Sequence, residues 1–264
     1  MVAEMPGRMA APADVARRER CAPGAGTAMT RRKLAGIAVT AALAAAGLTD
    51  AGAAQALAAS DEQAYQGTPG PREALQLLME GNRRWSRGRA RHPHQSVQWR
   101  WHVAGHQDPF ATVISCIDSR VPPEIVFDRG IGDMFTIRTG AQALDESVVL
   151  GSIEFGPFNY SSARLMLVLG HQKCGAIAAA IEVIESGCRA PGHIQAVVDA
   201  LRPAYYVAKP QPGDLADNMT RAQTRLTVHR LKQAPLLRKL MTTNGLTIVG
   251  GHYYLRSGLV EIIA

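Results

Sequence analysis

The chain has 264 residues, 47% of them apolar and 19% charged, enough apolar side chains for a packed core, which excludes an extended disordered protein. Its 29 Lys and Arg against 22 Asp and Glu give a net charge of +7, but residues 1–59 hold 7 basic and 4 acidic groups, so the rest carries an ordinary 22 against 18; with no basic stripe interleaved with aromatics, nucleic acid is not expected as a partner. The longest uncharged run, residues 34–49, is 16 residues, short of the ~20 that cross a bilayer, so no membrane span is expected.

The first element in chain order is a leader. Arg31, Arg32 and Lys33 precede a soft Ala-rich stretch and two Ala-x-Ala sites at 54–56 and 56–58, the layout of a signal peptide. The arginine pair is of the kind read by the route that exports folded proteins, so an exported protein is expected, periplasmic, cell-envelope or secreted. Residues 1–59 are assigned to this leader and 60–264 to one catalytic domain. Three cysteines remain in the mature part, Cys116, Cys174 and Cys188, an odd number that argues against a disulfide framework and for metal ligation by at least two of them.

Residues 71–85 place Leu75, Leu78, Met79 and Trp85 near one helical face, and a second helix is expected over 97–107. The run from Phe110 to Asp118 is nearly continuously apolar, as in a strand buried on both faces of a parallel sheet; 134–138 and 165–169 read alike. Helices are expected between these strands at 122–127 and 145–155, and after them at 174–185, 193–207 and 215–241, the last broken before Pro235. Strands at 246–249 and 259–263 flank the turn signal Arg256-Ser257-Gly258 and suit an antiparallel edge. The fold class is α/β: a parallel central sheet with an antiparallel C-terminal edge, flanked by helices, with an N-terminal helical arm.

In such sheets ligands gather at the carboxyl ends of the strands. The first strand ends in Cys116-Ile117-Asp118-Ser119-Arg120 and the third in His171-Gln172-Lys173-Cys174 at a helix start. Two thiols and an imidazole are a ligand set of catalytic zinc with an open fourth position, and the helix start favours a thiolate at Cys174. An ionic Asp118 and Arg120 stand beside them.

These motifs, with 122–128, Gly130-Ile131-Gly132-Asp133-Met134-Phe135 and His171-x-x-Cys174-Gly175-Ala176, resemble the β-class carbonic anhydrases of bacterial type, over about residue 71 to the C-terminus. The resemblance implies one Zn2+ per chain held by Cys116, His171 and Cys174, with a fourth position taken by water in an open form and by Asp118 in a closed form. It implies Asp118 and Arg120 as a catalytic dyad and Gln107 as the substrate-binding glutamine. It also implies a homodimer or higher homo-oligomer built through residues 71–107. Where the family has Ala-Gly-Asn after the second strand, this chain has Gly140-Ala141-Gln142, and Val113 replaces the Trp of a bicarbonate-regulated subgroup. Cys188 matches no ligand position and reads as a free thiol.

The expected activity is reversible, zinc-dependent hydration of carbon dioxide to bicarbonate and a proton. Zinc acidifies water, Asp118 accepts a hydrogen bond from the nucleophile, and Arg120 keeps Asp118 ionised. His94, His102, His106 and His252 are candidates for relaying the proton. The alternatives are hydrolysis of carbonyl sulfide or carbon disulfide on the same fold, and a non-catalytic closed zinc module.

Overall fold

A computed structural model describes residues 68–144 and 147–264. The leader therefore lies outside the described residues. In chain order the elements are α1 (Pro71–Ser86), α2 (Val97–His102), β1 (Ala111–Cys116), α3 (Pro123–Val126), β2 (Met134–Thr139), a 3-10 turn (Gly140–Gln142), α4 (Ser147–Asn159), β3 (Leu165–His171), α5 (Gly175–Ser186), α6 (Ile194–Ala208), α7 (Leu215–Gln233), α8 (Pro235–Thr243), β4 (Thr247–Tyr253) and β5 (Val260–Ile262).

One five-stranded sheet runs β2-β1-β3-β4-β5. The first four strands are parallel, and β5 pairs antiparallel with β4. β1 and β3 are buried along their whole length, the consequence of helices on both faces. On one face Ala74 and Leu78 of α1 and Val126 of α3 pack against Ala111, Val113, Leu165 and Leu167. On the other, α7 and α8 pack Val228, Leu231 and Leu237 against Ile114, Val168 and Ile248, while α5 and α6 form an adjoining cluster around Ile177, Val198 and Leu201. α7 lies so close to the sheet that a Cβ at Gly170 would stand 2.3 Å from Thr224 Oγ1. That approach explains glycines inside buried strands.

The structure moves several boundaries. The second helix ends at His102 rather than 107: Ser96 caps it by accepting from Trp99 N–H, and it then turns off at Val103 ahead of Gly105 and Pro109. α4 continues through Pro157 to Asn159, held by close packing of Gly156 on Phe135 and Thr112. The helix expected over 215–241 is broken at Ala234, with Pro235 opening α8. Cys188, half-buried in the loop after α5, is disulfide-bonded, which corrects its reading as a free thiol.

Candidate metal centre

β1 and β3 run side by side with Ser115 opposite Leu169, so Cys116 and His171 leave the sheet at neighbouring points of its carboxyl edge. The turn that follows β3 brings Cys174 back as the N-cap residue of α5. All three side chains are buried, and their ligand atoms lie within 4.8 Å of one another. Cys116 and Cys174 are free thiols with their sulfurs 3.7 Å apart. A tetrahedral ion with metal–sulfur bonds of about 2.3 Å requires sulfurs about 3.8 Å apart, so the pair is spaced for zinc.

His171 supplies a second test. Its Nδ1–H donates to the Gln172 carbonyl at 2.9 Å, which leaves Nε2 as the unprotonated nitrogen. That Nε2 is buried and accepts no hydrogen bond. A buried lone pair aimed at two thiols is costly unless a cation or donor meets it, and the donor set fits zinc.

The thiols share charge unevenly. The hydrogen bond from Cys174 holds Cys116 far below the usual thiol range, with the Ala141 and Asp118 amides adding to it. The Ala141 N–H stands 3.4 Å from the Cys116 sulfur. Cys174 is pushed up by the same thiol–thiol bond, by burial and by the charge on Cys116, against the Ile177 and Ala176 amides of the first turn of α5. Without metal the pair holds one proton, which a dication displaces on binding.

Beside the thiols, Asp118 and Arg120 form a forked pair. Asp118 Oδ1 accepts from the Arg120 amide and Nε, both at 2.9 Å, and Oδ2 accepts from Nη2 at 2.7 Å. These bonds lower the Asp118 carboxyl to about 2, the Arg120 side chain contributing most. Asp118 Oδ2 also lies 3.9 Å from His171 Nε2, at the edge of the ligand group but not within it. Arg120 is anchored in turn on the Lys173 carbonyl at 3.0 Å, which the left-handed backbone of Lys173 (φ 51°) turns toward it.

One supporting residue escaped the sequence reading, and two others, named there only as a departure from the family pattern, gain a role. Arg138, opposite Ser115 on β2, donates to the Cys116 carbonyl at 2.9 Å and the Asp118 carbonyl at 2.6 Å, clamping the turn that carries both side chains. An arginine inside an otherwise apolar strand was the signal for it. Ala141 and Gln142 adopt left-handed backbones after β2, and Gln142 Nε2 donates to the Leu169 carbonyl at 2.7 Å. The Gly140-Ala141-Gln142 variant thus still supplies an amide to Cys116 and ties the turn to β3.

The other expected residues stand apart from this group. Gln107 is exposed, and its Nε2 donates to the Tyr160 hydroxyl at 2.9 Å, beside a cavity of about 400 Å3 that also meets Ile131 and Gly132. His94 is buried, 2.6 Å from Asp133 and stacked 3.9 Å from Trp99. His252 is fully buried 3.2 Å from Asp217, and burial lowers its pKa. His102 and His106 are exposed around an adjoining cavity of about 290 Å3, and His106 lines both.

A family model described as carbonic anhydrase matches residues 111–260. Carbonic anhydrase 2 of Mycobacterium tuberculosis is 37% identical over 189 residues, covering 71% of this chain and 90% of that protein. A carbonic anhydrase of Mycolicibacterium smegmatis is 33% identical over 193 residues, covering 73% and 93%. Among solved structures, a tetrameric β-carbonic anhydrase of Sordaria macrospora superposes with a TM-score of 0.57 at 22% identity, covering 72% of this chain and 96% of that one. At that identity the superposition speaks for the fold.

Proposed function

The chain belongs to the carbonic anhydrase family, in its β class, and from that premise we propose that Cys116, His171 and Cys174 hold the zinc with which it hydrates carbon dioxide reversibly to bicarbonate and a proton. The observation that carries this assignment is the buried, unbonded His171 Nε2 facing two thiols 3.7 Å apart. Zinc, when bound, supplies a water acidified from 15.7 toward about 7, and hence a nucleophile at neutral pH.

The chain's own residues do the rest. Asp118, ionised throughout the neutral range, can only accept hydrogen bonds, so it orients an attacking O–H and holds the oxygen lone pair toward the carbon. Arg120 occupies both carboxylate oxygens and so keeps Asp118 off the ligand group. A permanently closed, non-catalytic module would have Asp118 among the ligands instead. One N–H of the Gln107 amide is committed to Tyr160, and since Gln107 stands apart from the thiols of its own chain, the other would donate to a carbon dioxide or bicarbonate oxygen at the centre of a partner subunit. His102 and His106, exposed to solvent, are better placed to pass protons to buffer than His94 and His252, which are buried against carboxylates.

A homodimer or higher homo-oligomer is part of the same reading. The edge strand β2, the largely exposed Trp101 of α2, and Phe155 and Phe158 of α4 offer apolar surface of the kind subunits cover. Export through Arg31 and Arg32 completes it; replacing both by Lys should leave active enzyme in the cytoplasm. Purified, zinc-analysed protein should hydrate carbon dioxide with activity that rises with pH. It should be far slower on carbonyl sulfide and carbon disulfide. A fully zinc-loaded protein without carbon dioxide turnover would overturn the proposal.

A further inference from the structure

The turn from β3 to α5 carries more of the metal centre than its two ligands. The Gln172 amide donates to the Tyr253 carbonyl at 3.0 Å, which ties the turn to β4, and the Gln172 carbonyl accepts from His171 Nδ1 at 2.9 Å. One residue on, the Lys173 carbonyl accepts from Arg120 Nη2 at 3.0 Å. The Lys173 side chain is exposed, so what this residue gives the site is its backbone. That backbone is left-handed, with φ 51°, a region rarely occupied by a side chain that has no short polar group to bond locally. Such a conformation persists only where its surroundings over-determine it, and it gathers where function needs it.

The donors of Arg120 show what is needed. Nη2 has two hydrogens and both are used: Asp118 Oδ2 accepts one at 2.7 Å, and the Lys173 carbonyl accepts the other at 3.0 Å. The Arg120 side chain is half exposed and makes no hydrogen bond beyond Asp118 and Lys173 among the described residues. The bond to Lys173 thus fixes the plane of the guanidinium and resists its rotation away from Asp118. Released from that plane, Asp118 Oδ2 has only a short way to go, since it already lies 3.9 Å from His171 Nε2.

We propose that Lys173 is a positioning residue: its left-handed backbone aims the carbonyl that keeps Arg120 on Asp118, and so keeps Asp118 off the metal ligands. The inference rests on the zinc reading above and adds to it the backbone group that holds the site open. One four-residue turn, His171 to Cys174, then sets two metal ligands, the tautomer of His171 and the orientation of Arg120 together.

The test is thiocyanate titration of the cobalt(II)-loaded full chain, followed by visible absorption, with metal content, Tm and kcat/KM measured alongside. Thiocyanate needs the metal position that Asp118 would fill, so its apparent affinity falls with the fraction of protein in which that position is free. Lys173→Val puts a β-branched residue where φ is positive. It should keep full metal, bind thiocyanate at least about threefold more weakly than the wild type, and lose kcat/KM to the same extent. Lys173→Asn, which tolerates the left-handed region, should restore the affinity, and so should Lys173→Gln, which removes only the charge. Lys173→Thr supplies a second β-branched case should the valine variant not fold. Wild-type thiocyanate affinity in a metal-loaded β-branched variant, or an equal loss in Lys173→Gln, would overturn the inference. A wild type that takes up neither cobalt nor zinc would overturn the zinc reading and this inference with it.

Discussion

Two arginine–carboxylate pairs in this molecule use the same bonds for different ends. Asp118 and Arg120 are two residues apart, and the Arg120 side chain is 50% exposed. Asp128 and Arg84 are 44 residues apart, and the Asp128 side chain is wholly buried. Asp128 spends its remaining lone pairs on the amides of Arg91 and His92, so it joins α1, the 87–93 loop and the end of α3. Asp118 keeps Oδ2 within 3.9 Å of His171 Nε2, beside the ligand group. A pair closed on itself by backbone amides holds structure; a pair made locally, with an oxygen beside a metal site, can do chemistry.

The largest effect expected on the site side of this comparison is from Cys174→Ser, since a hydroxyl is a poor substitute for a thiolate toward zinc. Metal analysis should find the zinc lost and stopped-flow assay no carbon dioxide hydration, whereas stoichiometric zinc in that variant would break the ligand assignment. On the structural side, Asp128→Asn leaves Arg84 without its charge partner and should cost about 3 kcal/mol. For a domain of this size that is a fall in Tm of roughly 6–12 °C. Zinc content and kcat/KM of the folded protein should not change; a tenfold loss of kcat/KM at unchanged Tm would mean the two pairs have been assigned the wrong roles.

Acid separates the pairs more finely. Burial raises the Asp128 carboxyl, but the bonds from Arg84, Arg91 and His92 outweigh it and hold the group below its ordinary 3.8. A carboxyl depressed in the folded state contributes stability that is complete above the unfolded value and is lost as pH falls through the folded one. Below about pH 4 the Tm of the wild type should therefore fall more steeply than that of Asp128→Asn, and the two curves should converge. Parallel curves would show that Asp128 is not ionised in the native protein. Asp118, at about 2, should contribute no inflection to activity near neutrality. The smallest effect is expected at Ala141, where φ is 49°: Ala141→Gly should raise stability by under about 1 kcal/mol and leave zinc in place, because it relieves a left-handed alanine while keeping the amide aimed at Cys116. A fall in Tm would contradict that account.

The parts of this design legible in the sequence were those with local signals. Nearly continuous apolar runs announced β1 and β3, and Cys116, Asp118, Arg120, His171 and Cys174 sit at their ends, where parallel sheets place ligands. Pro235 marked the break between α7 and α8. What remained hidden depends on distant partners. Nothing near Asp128 in sequence announces that Arg84 will meet it, and Arg138 gains its role only when β2 lies beside β1 in register. β4 runs on through Gly250, where Thr224 and Val228 of α7 crowd the sheet, and Gly251, which lies against Val260 of β5 and Leu167 of β3, tertiary requirements that override the usual weakness of glycine in strands.

The central claim is that Arg120 holds Asp118 as an ionised acceptor beside the zinc ligands. Its most direct test is the zinc content and kcat/KM for carbon dioxide of Arg120→Ala, measured across pH 6.5 to 9 beside the wild type. The expected result is full zinc and a Tm within about 2 °C of wild type, since an exposed pair adds little stability, together with a kcat/KM lowered more than tenfold at every pH. Full zinc with kcat/KM within threefold of the wild type would contradict it.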